Sequence, residues 1–244
     1  MLPLLAVSAC AADARCGETH AFVDLGANDG QSLQWFRRNW AAPAAAAAQP
    51  YNFVAAFEMN SHFSPVLRTE LARWPDSALM IGAAWTTDGD MDASMQQPNS
   101  RTGYKNGMFY NMTASALMVG GMPLNRHAGS TRLQRTHQRA RAAASASAHT
   151  QTQTVRTFDL ARWLSARFCR KDVVDVKMDI EGAEFEVLEH LLQHDAAGLI
   201  DTLAVEWHTN KRGRARELAR LLARQQRIQK GLQRAGVQFR AWRS

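Results

Sequence analysis

Residues 22–30, Phe22-Val23-Asp24-Leu25-Gly26-Ala27-Asn28-Asp29-Gly30, run an apolar strand straight into a glycine-rich turn. The combination suggests a nucleotide-like cofactor site. Glycines at 26 and 30 let the backbone approach a ligand, and the helix expected next points its unpaired N–H groups at the same spot. Asp24, two residues before the first glycine, adds a fixed negative charge. A pyrophosphate gains nothing from a carboxylate there, whereas the ammonium of an amino-acid-like cofactor pairs with it. The D-x-G-x-x-x-G spacing also departs from the G-x-G-x-x-G fingerprint of dinucleotide sites. Turns of this kind arise for packing reasons too, so the rest of the chain has to decide.

Beyond this turn, strand-like and helix-like segments alternate, the pattern of a parallel sheet covered on both faces. Leu33, Phe36 and Trp40 form one helical stripe, and 41–50 reads as an alanine- and proline-rich connecting loop. Residues 51–58 read as a second strand ending in Glu58. Ser64 and Pro65 open a helix that buries Leu67, Leu71 and Trp74, and 78–85 read as a third strand before an Asp88-Gly89 turn. A strand over 154–158 leads to a helix carrying Leu160, Trp163, Leu164 and Phe168 on one face. The strand over 173–180 feeds a helix with Val187, Leu188, Leu191 and Leu192 on one side; 200–208 give a fifth strand, and 237–242 can close the sheet. The expected architecture is α/β: a doubly wound, mostly parallel, Rossmann-like sheet with helices on both faces.

Residues 86–150 interrupt that alternation. They hold Met91, Met95, Met108, Met112, Met118 and Met122, which with Phe109 and Tyr110 make either an apolar lid over a substrate or ordinary loop packing. The Arg, Ala, Ser and Thr bias over 126–150 predicts a disordered insertion. At 244 residues the economical reading is a lead over 1–20 and one domain over 21–244. No apolar run reaches the roughly 18 residues of a membrane span. Residues 1–12 are apolar and end in small residues but lack a signal's basic leader, which favours a packed segment in a cytoplasmic protein and leaves the secretory pathway open. The sequon Asn111-Met112-Thr113 matters only in that second case. Cys10, Cys16 and Cys169 contain no C-x-x-C pair, so neither a disulfide framework nor a zinc site is expected.

The net charge of +7 is unevenly spread. Residues 211–234 hold nine basic residues against Glu217, and 126–141 hold five arginines and no acid, leaving the remainder net negative. A nucleic-acid-binding module, or an RNA-directed enzyme, would rest on that basic helix and on Arg216, Arg220, Arg224 and Arg227. Leu218, Leu221, Leu222 and Leu232 give the helix an apolar inner face, however, so the arginines read as its wet side and nucleic acid is disfavoured.

In doubly wound sheets ligands bind beyond the carboxyl ends of the strands, where strand order reverses. Strands one, two, four and five here end in something polar: Asp24 and the 26–30 turn, then Glu58, then Asp179 and Glu181, then Glu206 and His208. Converging carboxylates repel one another, so a cationic or hydroxyl-rich ligand is their natural explanation, with Glu58 placed to accept two ribose hydroxyls. Taken singly, Asp179 and Glu181 read equally well as caps or solvated loop acids.

The segments VDLGANDG, AAFE, GAAW, VRTFDLARWL and above all VKMDIEGAEFEVLEHLL followed by LAVEWH resemble the FkbM-type family of S-adenosylmethionine-dependent methyltransferases, over about residues 21–208. The resemblance implies a class I methyltransferase fold and methyl transfer to a hydroxyl of a sugar or other small molecule. It implies that Asp24, Gly26, Asn28 and Gly30 contact the methionine half of the cofactor and Glu58 its ribose. Ala83, Ala84 and Trp85 would flank the adenine, and Asp179 would face the methyl donor and acceptor. The chain departs from the family in its arginine-rich 126–141 segment and in lacking a clear last antiparallel strand. In-line transfer needs collinear oxygen, carbon and sulfur, and then one base. His208 is the first choice for that base and Asp179 the second. Alternatively Asp179, Glu206 and His208 form a magnesium site that lowers the hydroxyl pKa. Lys177, two residues before Asp179 on the same strand face, reads as a structural ion-pair partner. A relic that binds cofactor without turnover is the remaining alternative.

Overall fold

The computed structural model describes residues 16–46, 50–96, 150–209 and 215–242. In chain order these form β1 (His20–Leu25), α1 (Gln31–Phe36) running through a π-helical segment (Arg37–Ala41) into α2 (Ala42–Ala46), β2 (Phe53–Glu58), α3 (Ser64–Leu71), β3 (Asp76–Ile81), β4 (Ala83–Trp85), β5 (Gly89–Gln96), β6 (Thr150–Asp159), α4 (Leu160–Arg167), β7 (Val173–Met178), α5 (Glu184–Gln193), β8 (Thr202–Val205), α6 (Ala215–Arg234) and β9 (Gln238–Phe239). They fall into two compact units, one within Met1–Asp88 and Thr157–Ser244, the other within Gly89–Arg156.

The first unit is built on a six-stranded sheet in the order β3-β2-β1-β7-β8-β9. Every pairing in it is parallel. The chain steps outward one way from β1 to β3 and the other way from β7 to β9, so right-handed crossovers place the two sets of helices on opposite faces. This is a doubly wound, Rossmann-like α/β fold, and the order reverses between β1 and β7. Burial follows from that layering: β2 is buried throughout and β1 beyond His20, because a parallel sheet covered on both faces needs near-continuous apolar strands. The helical stripe of Leu33, Phe36 and Trp40 is buried as its spacing requires, with Phe36 stacked on Phe22 at 3.7 Å between ring centroids.

The second unit corrects the expectation of irregular structure from residue 86 onward. Gly89–Gln96 is a strand, with Met91 and Ala93 buried and Asp90 and Asp92 exposed, a two-residue period. Thr154 Oγ1 in β6 donates to Asp92 Oδ1 at 2.9 Å. The remaining methionines of the proposed lid, the arginines of 126–141, the sequon and residues 1–12 lie outside the residues whose side chains are described.

Four further expectations change. The supposed loop at 41–50 is helical over Ala42–Ala46, since alanine is the strongest helix former and Pro43 follows a π-helical stretch whose hydrogen-bond ladder already departs from the regular α pattern. The single strand over 78–85 is two strands in different sheets, separated at Gly82: β3 pairs with β2, and β4 pairs with the end of β6. The last strand, β9, is parallel to β8.

A disulfide joins Cys16 to Cys169, with a Cα–Cα distance of 5.7 Å. Asp172 pins the same place, accepting from Gly17 N and Thr19 N through Oδ1 and from Cys169 N through Oδ2 at 2.8–3.1 Å.

The inner face of α6 also differs from the one read off its leucines. Ile228 and Leu232 are buried, whereas Leu218 and Leu222 are 37% and 44% exposed. The later part of α6 lies close on α5: a Cβ on Gly231 would meet a Leu192 methyl at 2.9 Å, and Arg224 pairs with Glu186 at 3.0 Å and Glu189 at 2.6 Å. That arginine is held by α5 rather than offered to a polyanion. Among the described residues, no helix is long and apolar enough to cross a membrane.

Candidate active site at the switch point

Beyond Leu25 the chain turns through left-handed conformations at Gly26 (φ 81°), Asn28 (φ 49°) and Gly30 (φ 84°). Gly26 has a steric reason to be glycine: a Cβ there would stand 1.9 Å from the Asp179 carbonyl oxygen at the end of β7. Gly26 N and Ala27 N both donate to Phe57 O at 3.0 Å, which draws the turn against β2. Glu58 completes the lacing. Its Oε2 accepts from Asn28 N at 2.8 Å and its Oε1 from Asn60 N at 2.7 Å. Burial pushes the Glu58 carboxyl above its usual pKa, and the two amides and Lys177 only partly offset that.

The expected convergence of Asp24, Glu58 and Asp179 is present, but at its centre stands a protein cation. Lys177 Nζ lies 3.3 Å from Asp24 Oδ1 and 3.7 Å from Asp179 Oδ2, and donates to Gly26 O at 2.8 Å. The β1–β7 register places Asp24 opposite Lys177. Burial works against an ammonium here; the charges of Asp24, Asp179 and Glu58 outweigh it and raise the Lys177 pKa. Asp24 is fully buried, and its Oδ2 accepts from Ser32 Oγ in α1. The fixed charge of Asp24 thus has a protein cation beside it, Lys177, and the carboxylate ties β1, β7 and α1 together. Lys177 itself has the ion-pair role its strand position suggests.

The neighbouring turn, after β7, carries the second half of the site. Asp179 N donates to Leu25 O and Glu206 N to Met178 O, at 3.0 and 2.9 Å, which sets the ends of β1, β7 and β8 side by side. Glu181 (φ 58°) takes a left-handed conformation that a non-glycine residue rarely adopts, and Gly182 follows at φ 108°. Folded into this turn is Glu184, fully buried in the first turn of α5. Its Oε1 accepts from Ile180 N at 3.2 Å and Gly182 N at 3.1 Å, and lies 2.8 Å from His208 Nδ1. Because Oε1 of an ionised carboxylate only accepts, Nδ1 carries a proton, and Nε2 is the ring's basic atom in the neutral tautomer.

His208 Nε2 is turned toward three more carboxylates: Glu181 Oε2 at 3.5 Å, Asp179 Oδ1 at 3.7 Å and Glu206 Oε1 at 3.8 Å. Asp179 thus bridges the Asp24–Lys177 pair on one side and His208 on the other. Glu184 had drawn no attention in the sequence, since an acid in the first turn of a helix reads as an ordinary partner of the helix dipole. Its place four residues after Ile180, within a run of apolar neighbours, was the available signal. Ala83, Ala84 and Trp85 are buried in β4, which begins directly after Gly82 N bonds Glu58 O at 2.9 Å.

A family model described as Methyltransferase FkbM domain matches residues 24–228. No curated protein and no solved structure gives a significant match.

Proposed function

Because the chain belongs to the FkbM methyltransferase family, we propose that it uses S-adenosylmethionine to methylate a hydroxyl oxygen of a sugar or other small molecule. The observation that carries this reading is the meeting of the 26–30 turn, Glu58 and Asp179 at the strand ends where sheet order reverses. Asp24 Oδ1, buried 3.3 Å from Lys177 Nζ, braces the turn from beneath. Asp179, whose side chain is 32% exposed, is the carboxylate of the trio open to a cation.

S-adenosylmethionine supplies, when bound, a methyl group on a positively charged sulfur. The chain's residues do the rest. The backbone of Gly26, Asn28 and Gly30 lies against the methionine half, with Asp24 and Lys177 holding the turn in shape. Glu58, fixed by two amides, is the carboxylate for the ribose hydroxyls. Ala83, Ala84 and Trp85 border the adenine. Asp179 orients the acceptor, whose hydroxyl gives up its proton at the Asp179–His208 cluster.

Incubating the protein with methyl-labelled cofactor and a panel of hydroxyl compounds should give alkali-stable methyl ethers. His208→Ala should lower kcat about 100-fold, the usual scale for losing proton handling at one group, with cofactor affinity retained. Label found only in alkali-labile esters or on nitrogen would contradict the hydroxyl assignment, and saturable cofactor binding without any product would point to the non-catalytic alternative.

A further inference from the structure

We propose that the outer face of α6 docks the protein on an anionic lipid membrane, the helix lying along the surface rather than crossing it. Docking there uses no residue of the switch-point site, so it stands or falls apart from the methyl-transfer reading. The packed side of α6 is marked by buried Ile228 and Leu232 and by Arg224, which Glu186 and Glu189 of α5 hold. At 3.6 residues per turn, Arg220, Arg227 and Arg234 fall within about 40° of one another and about a quarter-turn from that packed side. Leu218 and Leu222, on consecutive turns, fall about as far round the other way. The outermost line between them carries Ala219, Ala223 and Gln226, with Lys230 beside the arginines. Arg220, Arg227, Lys230 and Arg234 are all exposed, as are both leucines.

Two features separate this face from an ordinary wet one. The first is the single sign of its charge. Residues 218–234 hold five basic side chains and no carboxylate, whereas a merely solvated helix face is usually laced with both signs. Its glutamines, Gln225, Gln226, Gln229 and Gln233, are neutral and add nothing that an anionic surface repels. The second is the leucine pair. One exposed leucine is commonplace, but two on consecutive turns keep a strip of apolar surface in water beside a line of cations. A nucleic acid would engage the cations and leave that strip wet. A bilayer takes both: lipid phosphates pair with the guanidinium groups, while the leucine methyls enter the boundary between headgroups and acyl chains. The small side chains of Ala219 and Ala223 let the helix axis approach that boundary closely.

Each cation brought to an anionic leaflet strengthens binding about fivefold, and salt weakens that part because the charges stand in solvent. The leucines add an attraction that salt does not screen. A surface helix of this kind holds through the two together.

The test is sedimentation of the full-length protein with vesicles of phosphatidylcholine, alone or with about 30% phosphatidylglycerol. Binding to the anionic vesicles should be at least about tenfold tighter than to the neutral ones, and raising the salt from about 0.1 M to about 0.5 M should release most of the protein. Replacing two cations, Arg220→Gln with Arg227→Gln, should weaken binding about 20- to 30-fold, two fivefold steps. Leu218→Gln with Leu222→Gln should weaken it at least about fivefold. All four positions are exposed, so thermal melting should show both double variants folded like the parent. A short single-stranded RNA is titrated in parallel. Absence of sedimentation with either vesicle, equal binding to both, or a leucine variant that binds lipid as the parent does overturns the proposal. RNA binding that the leucine variant retains, without lipid binding, overturns it too and assigns the face to nucleic acid.

Discussion

Replacing Lys177 with methionine is expected to destabilise the protein by about 3–5 kcal/mol, the range for removing one partner of a buried ion pair. Methionine fills most of the space of the lysine stem, so the loss reports charge rather than volume. What remains is Asp24 with no exposed surface and no cation beside it, and Asp179 with one neighbour fewer. The Gly26 carbonyl loses its donor as well. Set against a typical total stability of about 5–15 kcal/mol, this leaves a marginal fold. Urea unfolding of the parent, Lys177→Met, Asp24→Asn and the double variant should show strong coupling, the double being more stable than Lys177→Met because no lone charge stays buried. A loss below about 1 kcal/mol in Lys177→Met would mean that Asp24 takes its compensation elsewhere.

Reducing the Cys16–Cys169 bond should have an effect of the same size. The two cysteines are 153 residues apart. Closing a loop of that length removes chain entropy from the unfolded state worth about 5 kcal/mol. For a chain of this size the expected drop in Tm is roughly 10–20 °C. Scanning calorimetry with and without dithiothreitol, and on Cys16→Ser, measures it; equal Tm values in all three would show that the bond contributes nothing. The Asp172 carboxylate holds the same junction through three backbone amides, so the reduced protein should keep its fold at lower temperature rather than lose the β1–β7 edge outright.

The parts of this fold that could be read from the chain are those carried by local periodicity. Strands β1 and β2 are largely apolar runs and β7 is one broken by Asp175 and Lys177, and the strand-end acids follow directly from where those runs stop. Contacts set by distant pairing were not readable. Nothing local in Cys16 or Cys169 signals a bond across 153 residues, and only the register of β1 on β7 shows that Asp24 meets Lys177. The leucines of α6 have one spacing along the helix, but the residues it buries are Ile228 and Leu232 in its later turns, and Leu218 and Leu222 stay exposed. At the site, alternation along β7 already placed Lys177 and Asp179 on one face. Glu184 was hidden because its role depends on His208, twenty-four residues on and in another segment.

The proposal that the switch-point rim takes a sulfonium cofactor is tested most directly by calorimetric titration of the parent and of Asp179→Asn with S-adenosylmethionine and, separately, NAD. One equivalent of S-adenosylmethionine should bind the parent, NAD should not, and the variant should bind about tenfold more weakly, the scale of one charge-assisted contact. NAD binding in place of S-adenosylmethionine, or no binding of either by the folded parent, would contradict it.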